Sequence, residues 1–175
     1  MFSNPEKILI QLGLSEGMHV ADFGAGVGYY AMLLAQKVGK SGKVYAIDIN
    51  KDFLSKIAND AAKQNFDNIE IISGDVEKQG GSTLADSSVD VVLIANTLFM
   101  MDDKLGAAKE ALRILKPKGR CLVVEWADSF AGIGPHRSHI ITNVAAMKIF
   151  QDAGFTLGYD VEAGDHHYGL VFRKV

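Results

Sequence analysis

The 175-residue chain has only one cysteine, three prolines and one tryptophan. A single cysteine excludes a disulfide within the chain. Cys121 lies in the apolar run Cys121 to Val124, where it reads as a buried thiol, and this usage fits cytoplasmic residence. No apolar run approaches the roughly 20 residues of a membrane span. The first residues lack a signal-peptide pattern, so neither membrane insertion nor secretion is expected. Basic charge is not in excess, since the formal net charge is -3. A nucleic-acid surface usually shows as a basic patch or stripe, so a small-molecule partner is favoured and no nucleic acid is expected. With 48% hydrophobic and 22% charged residues, the composition is that of an ordinary globular protein. One domain over residues 1–175 is the expectation, with residues 1–16 as a helical lead-in.

Asp22 to Tyr30, reading D-F-G-A-G-V-G-Y-Y, organises the rest. The apolar run Met18 to Phe23 before it reads as a short buried strand, and Ala31 to Val38 after it has helical spacing. Gly24, Gly26 and Gly28 therefore occupy a strand-to-helix turn, where a ligand can lie against the backbone and helix N–H groups favour an anion. Such a turn serves dinucleotides, nucleotides or S-adenosylmethionine, or no ligand at all. A nicotinamide or flavin fingerprint started at Gly24 needs glycine or alanine at position 29 and meets Tyr29; started at Gly26 it finds Ala31, which the looser form permits. A second β-rich run, Val44 to Ile49, brings Asp48 to its end, where an acid can accept both hydroxyls of a ribose.

Together, Asp22, Gly24, Gly26, Gly28 and Asp48 resemble the first motif and the ribose acid of the class I S-adenosylmethionine-dependent methyltransferases. Asn96-Thr97-Leu98 and Arg113 to Gly119 match further motifs of that family in order, and the resemblance covers nearly the whole chain. It is closest to the branch containing quinone-biosynthesis C-methyltransferases. The resemblance implies a Rossmann-like, doubly wound α/β fold with a seven-stranded, mostly parallel sheet, an antiparallel final strand and helices on both faces. It implies S-adenosylmethionine as cofactor, held by Asp22, Gly24, Gly26, Gly28, Asp48 and Asn96, with Asp75 toward the adenine amino group and Ile49 and Val76 beside these acids. The acceptor is expected to be small and partly apolar, and the protein a monomer or homodimer. Relatives often carry histidine soon after the Asn-x-Leu element; this chain has Phe99-Met100-Met101 there, which suggests an apolar acceptor wall. Tyr29, Phe99, Met100, Trp126 and Arg137 are the candidate acceptor contacts, and Glu125, His136 and His139 the candidate bases. An NAD-dependent oxidoreductase and a non-catalytic S-adenosylmethionine-binding module are the alternatives.

Periodicity supplies the remaining elements. Asn4-Pro5 opens a helix that Gly13 ends, and it either packs on the sheet or covers the site. Asp52 to Gln64 reads as a helix, Ile69 to Ile72 and Val89 to Ala95 as strands, and Lys104 to Leu115 as a helix stopped by Lys116-Pro117-Lys118-Gly119. Cys121 to Glu125 forms the fifth strand. Residues 128–139 read as a loop over the site, Thr142 to Ala153 as a helix, and Phe155 to Val161 and Tyr168 to Lys174 as a hairpin turning at Gly164-Asp165. His166 and His167 beside Asp165 are not expected to hold a metal, because neighbours on a strand point to opposite faces.

Overall fold

The computed structural model describes residues 3–130 and 132–175. The chain opens with α1 (Pro5–Leu12), capped by the Asn4 side chain and closed by Gly13 in the left-handed region at φ 65°. Ile8, Leu9 and Leu12 are buried against the domain. Gln11 exchanges two hydrogen bonds of 3.0 Å with the backbone of Glu162, while Ser3 and Pro5 reach the cavity described below. The body of this segment thus packs on the domain, and its start borders the cavity.

Two β-α units and a third strand follow: β1 (His19–Phe23), α2 (Tyr29–Val38), β2 (Lys43–Asp48), α3 (Lys51–Lys63), β3 (Ile69–Ser73). Then come β4 (Val89–Ala95), α4 (Lys104–Ile114), β5 (Leu115–Trp126), α5 (Asn143–Ala153), β6 (Thr156–Val161) and β7 (His167–Arg173). The seven strands form one sheet in the order β3-β2-β1-β4-β5-β7-β6. Only β7 runs against the rest, paired antiparallel with both β5 and β6. The central strands are apolar on both faces, as a sheet sandwiched between helix layers requires. Phe23, Ile94 and Val123 pack with Ala107, Ala111 and Phe150 of α4 and α5 on one side. Val20, Leu93 and Val124 pack with Leu9, Leu34 and Ile57 of α1, α2 and α3 on the other. Cys121 is fully buried, and burial pushes its thiol pKa up.

At two boundaries the ladder itself explains a difference from the sequence reading. β5 begins at Leu115 rather than Cys121, because the Lys116 to Gly119 stretch is a bulge inside the ladder. Val89 pairs with Leu115 and Val91 with Arg120, so Asp90 alone faces four residues. Lys118 takes φ 65° there, and Lys116 reaches Asp90 at 2.8 Å. At the other end β7 starts at His167, one residue earlier than its periodicity suggested, because the ladder continues to the pair Trp126 with His167.

The connection after β3 is long, and a buried acid fixes it. Glu110 on α4 accepts hydrogen bonds from the N–H groups of Gly80 and Ser82 and from the Ser82 hydroxyl, and pairs with Arg113 at 2.7 Å. Burial raises the pKa of this carboxyl, but Arg113, Ser82 and the two N–H groups outweigh it and hold the value at about 2. Its contribution to stability is thus present above the ordinary value of 4.5 and is lost as pH falls through about 2. Glu110→Gln should cost about 3 kcal/mol of unfolding free energy at pH 7 by urea denaturation. The gap from the parent protein should narrow as the pH is lowered from 4.5 toward 2. A gap that stays constant over that range would show that the charge contributes nothing.

Candidate cofactor and acceptor site

Parallel strands deliver their carboxyl ends to one edge of the sheet, and ligands of open α/β sheets bind beyond that edge. A cavity of about 710 Å³ lies there. From the β1, β2 and β3 ends it is lined by Asp22, Gly24, Gly26, Asp48, Asp75 and Val76, with Ile49 just past β2. Asn96 and Met100 follow β4, Trp126 ends β5, and Tyr29 opens α2. β7 is antiparallel, so its first residue, His167, arrives at the same edge.

The three turn glycines have separate physical reasons. At Gly24, φ 68°, a Cβ would lie 2.2 Å from the Thr97 methyl, so the glycine permits close approach of the segment after β4. At Gly26, φ 53°, an added Cβ would meet nothing nearer than 3.9 Å and would project into space beside the cavity. Gly28 does not line the cavity. Its φ is 88°, and a Cβ would come within 2.6 Å of Ile57, so it lets α2 begin tight against α3. The sequence suggested a cofactor contact here; what the structure gives the residue is a packing role. Asp48 ties the turn to β2: one oxygen accepts the Gly26 N–H at 2.9 Å and the other the Asn50 N–H at 2.8 Å. Each oxygen keeps acceptor capacity for a further donor.

The cavity gathers buried polar groups that the fold itself leaves incompletely paired. Asp22 is 2% exposed, and burial, followed by the charge of Asp48, pushes its pKa up to about 7. Asn96 stands in the left-handed region at φ 55°. Among the described residues, Asp22 Oδ2, Asn96 Oδ1 and both ring nitrogens of His167 are buried without a hydrogen-bond partner, and buried Ser3 Oγ and Tyr30 Oη approach only each other. All five residues line this cavity. Folded interiors leave few such atoms unpaired, so their concentration here points to a polar ligand. Asp75 differs: it bonds Lys78 at 2.8 Å and the Glu77 N–H at 3.1 Å, and the Lys78 contact leads in holding its pKa below the usual carboxylate range.

On the acceptor side the structure corrects several expectations. Glu125 is 1% exposed and does not line the cavity. Its carboxylate accepts the N–H groups of Leu98 at 2.7 Å, Phe99 at 3.4 Å and Trp126 at 3.3 Å, so it staples the segment after β4 instead of facing an acceptor. Phe99 packs against the core beneath that segment and is likewise off the cavity wall. His136, Arg137 and His139 lie on an exposed turn outside the cavity, with His136 Nδ1 2.8 Å from Ser138 Oγ. Their loop touches the site through Gly134, whose Cβ would fall 2.7 Å from the indole of Trp126. His167 was missed as a site residue. His166 turns to Asp128 at 2.8 Å, whereas His167 packs on Trp126 with ring centroids 4.2 Å apart. The signal available was its place at the start of a strand that must enter at the rim. No group of three or more potential metal ligands occurs among the described residues, and no helix is long and apolar enough to cross a membrane.

Residues 14–154 match the family described as "Methyltransferase domain". The chain is 31% identical to an arsenite methyltransferase of Halobacterium salinarum over 63% of this chain and 27% of that protein. It is 32% identical to the ubiquinone/menaquinone biosynthesis C-methyltransferase UbiE of Idiomarina loihiensis over 66% of this chain and 45% of that one. The matched stretch is thus less than half the length of these curated relatives. Among solved structures, an S-adenosylmethionine-dependent methyltransferase from Aquifex aeolicus superposes with a TM-score of 0.91 at 30% identity, over 99% of this chain and 91% of that one.

The Glu125 staple has a measurable signature. Burial, against the hydrogen bonds from Leu98, Trp126 and Phe99, raises its pKa from 4.5 to about 7. The folded form therefore binds the proton more tightly, and this group lowers stability progressively as pH rises from 4.5 to about 7. One such proton contributes at most about 1.4 kcal/mol per pH unit. Glu125→Gln should flatten that part of the decline, leaving the same-signed contribution of Asp22, in urea denaturation at pH 5, 6 and 7. An unchanged slope would mean that Glu125 is ionised throughout.

Proposed function

Because the chain belongs to the class I S-adenosylmethionine-dependent methyltransferases, we propose that it transfers a methyl group from that cofactor to a small, partly apolar acceptor. The observation that carries the reading is the gathering of unpartnered buried polar atoms around one cavity at the strand ends. When bound, S-adenosylmethionine supplies a methyl group on a positively charged sulfur, already activated for displacement. The residues present fit that cofactor: Gly26 leaves room for a ligand against the turn, and Asp22 and Asn96 hold unmade acceptor capacity beside it.

In this reading Asp48 holds the ribose hydroxyls, and its two backbone bonds fix the carboxylate plane for that task. Gly24, Ala25 and Gly26 receive the methionine end, with Asp22 and Asn96 meeting its polar groups. Ile49 and Val76 flank the adenine, and Asp75 accepts from its amino group. Tyr29, Met100 and Trp126 form the acceptor wall, where apolar surface excludes water. The protein's contribution is then mainly placement of two reactants, which can lower a barrier by several kcal/mol. The arsenite and quinone-precursor names of the relatives support a small acceptor. The chain acts as one domain in the cytoplasm, as a monomer or homodimer without a nucleic-acid partner, a reading that its charge and its single buried cysteine support.

Calorimetry tests the cofactor assignment. Asp48→Ala should weaken S-adenosylmethionine binding by roughly 1.5–3 kcal/mol while circular dichroism stays that of the parent protein. Gly26→Val should abolish binding, since a β-branched side chain both fills the cradle and resists φ 53°. Parent-like affinity in both folded variants would sink the reading. A second measurement addresses Asp22. Its free carboxyl is near half-protonated at pH 7, and a cationic ligand favours the ionised form, so binding should release protons and tighten as pH rises from 6 to 8. The release appears as a dependence of the binding heat on buffer ionisation, and should vanish in Asp22→Asn.

A further inference from the structure

The acceptor end of the cavity holds one polar side chain that nothing in the fold employs. His167 is 8% exposed, borders the cavity, and has no hydrogen-bond partner at either ring nitrogen. A neutral imidazole carries one donor and one acceptor, and leaving both unmade costs free energy that an aromatic hydrocarbon of similar size would not incur. Packing on Trp126 therefore does not account for a histidine here. The backbone fixes its position: His167 pairs with Trp126 across the β5–β7 ladder, and the Ala127 N–H donates to the His166 carbonyl at 2.8 Å. Gly26, Asp48 and Asp75 follow β1, β2 and β3, whereas His167 comes from β7, beyond β4 and β5, at the far end of the rim. Burial, with a smaller contribution from His166 and an opposing one from Asp128, lowers its pKa. Burial thus favours the neutral ring, which carries a free electron pair on one nitrogen.

We propose that His167 is the catalytic residue of the acceptor subsite, receiving the proton of a phenol-, enol- or thiol-type acceptor whose apolar body lies along Met100 and Trp126. The proposal rests on the methyl-transfer reading and extends it to the acceptor class. An imidazole is an efficient base toward acids a few units weaker than itself, which selects these O–H and S–H groups over alkyl alcohols. In the step, the imidazole nitrogen takes the acceptor's proton and the freed pair on oxygen or sulfur forms the new bond to the methyl carbon. The pair of the broken carbon–sulfur bond stays on the donor sulfur, so charge and atoms balance. Neither nitrogen has open surface as the side chain stands. The acceptor engages one by a turn about the ring's Cβ–Cγ torsion, which is broad and soft.

The test uses the purified chain, with p-cresol and its methyl ether, 4-methylanisole, as probes that differ in the transferable proton. The ring nitrogens of His167 are observed by nitrogen NMR and assigned by their loss in His167→Gln. Addition of p-cresol should move these signals saturably and 4-methylanisole should not. His167→Phe should bind p-cresol at least tenfold more weakly while keeping S-adenosylmethionine affinity within twofold. Far-UV circular dichroism and the urea-unfolding midpoint check that each variant keeps its fold. For any acceptor that the parent protein methylates, kcat should fall by about 100-fold or more in His167→Phe. Equal shifts with both probes, no shift with p-cresol, or a tenfold loss of S-adenosylmethionine affinity in the variant would each overturn the assignment. If the parent protein binds no S-adenosylmethionine, the methyl-transfer reading fails whatever the histidine signals do. If it binds and the His167 signals stay fixed, only the base assignment falls.

Discussion

The hydrogen bond from the Gly26 N–H to Asp48 is the contact on which the site's geometry depends. It joins the turn after β1 to the end of β2, and the second oxygen of the same carboxylate anchors Asn50, the cap of α3. A single side chain thus sets the spacing between the glycine turn and the adjacent helix start. Gly28 completes the arrangement by letting α2 begin against Ile57 of α3. Both helices are thereby positioned before any ligand is considered, which is the pre-organisation a cofactor site needs.

Burial does different work in three acids of similar chemistry. Glu110 is surrounded by donors, including Arg113, and its charge is favoured. Glu125 has only backbone N–H groups, which do not offset desolvation, so its proton is held tightly. Asp22 has an oxygen with no donor at all and a like charge nearby at Asp48. The first two are satisfied inside the fold and serve architecture. The third keeps an unpaired oxygen and borders the cavity.

Much of this was legible in the chain. The strand-turn-helix around Asp22 to Tyr30, the acid at position 48 and the apolar run Val89 to Ala95 follow from spacing and local chemistry, and they mark the half of the rim proposed for the cofactor. The acceptor half was less legible for a physical reason. Glu125 and His167 both fall at the sheet edge, but alternation along a strand decides which one faces the cavity, and that depends on the ladder register. A loop such as residues 128–139 has no periodicity from which orientation can be read, and His136, Arg137 and His139 proved to lie on its outer side. The helix does stop before Lys116 to Gly119, but that stretch is also a bulge of β5, and proline and glycine mark both.

The reversed direction of β7 has an implication for how such a site changes over time. Every other strand meets the rim with its last residue, so lengthening the connection that follows leaves the strand's own side chains in place. β7 meets it with its first residue, immediately after the Gly164 turn, and its register is held there by Ala127 and Trp126. Insertion or deletion of one residue in that turn can slide the whole strand by one position and exchange its two faces. His167 would then give way to a neighbour without any codon for it being altered. What the β7 end of the rim presents to the cavity is in this sense written in the length of a hairpin, while what the β1 and β2 ends present is written in residue identities.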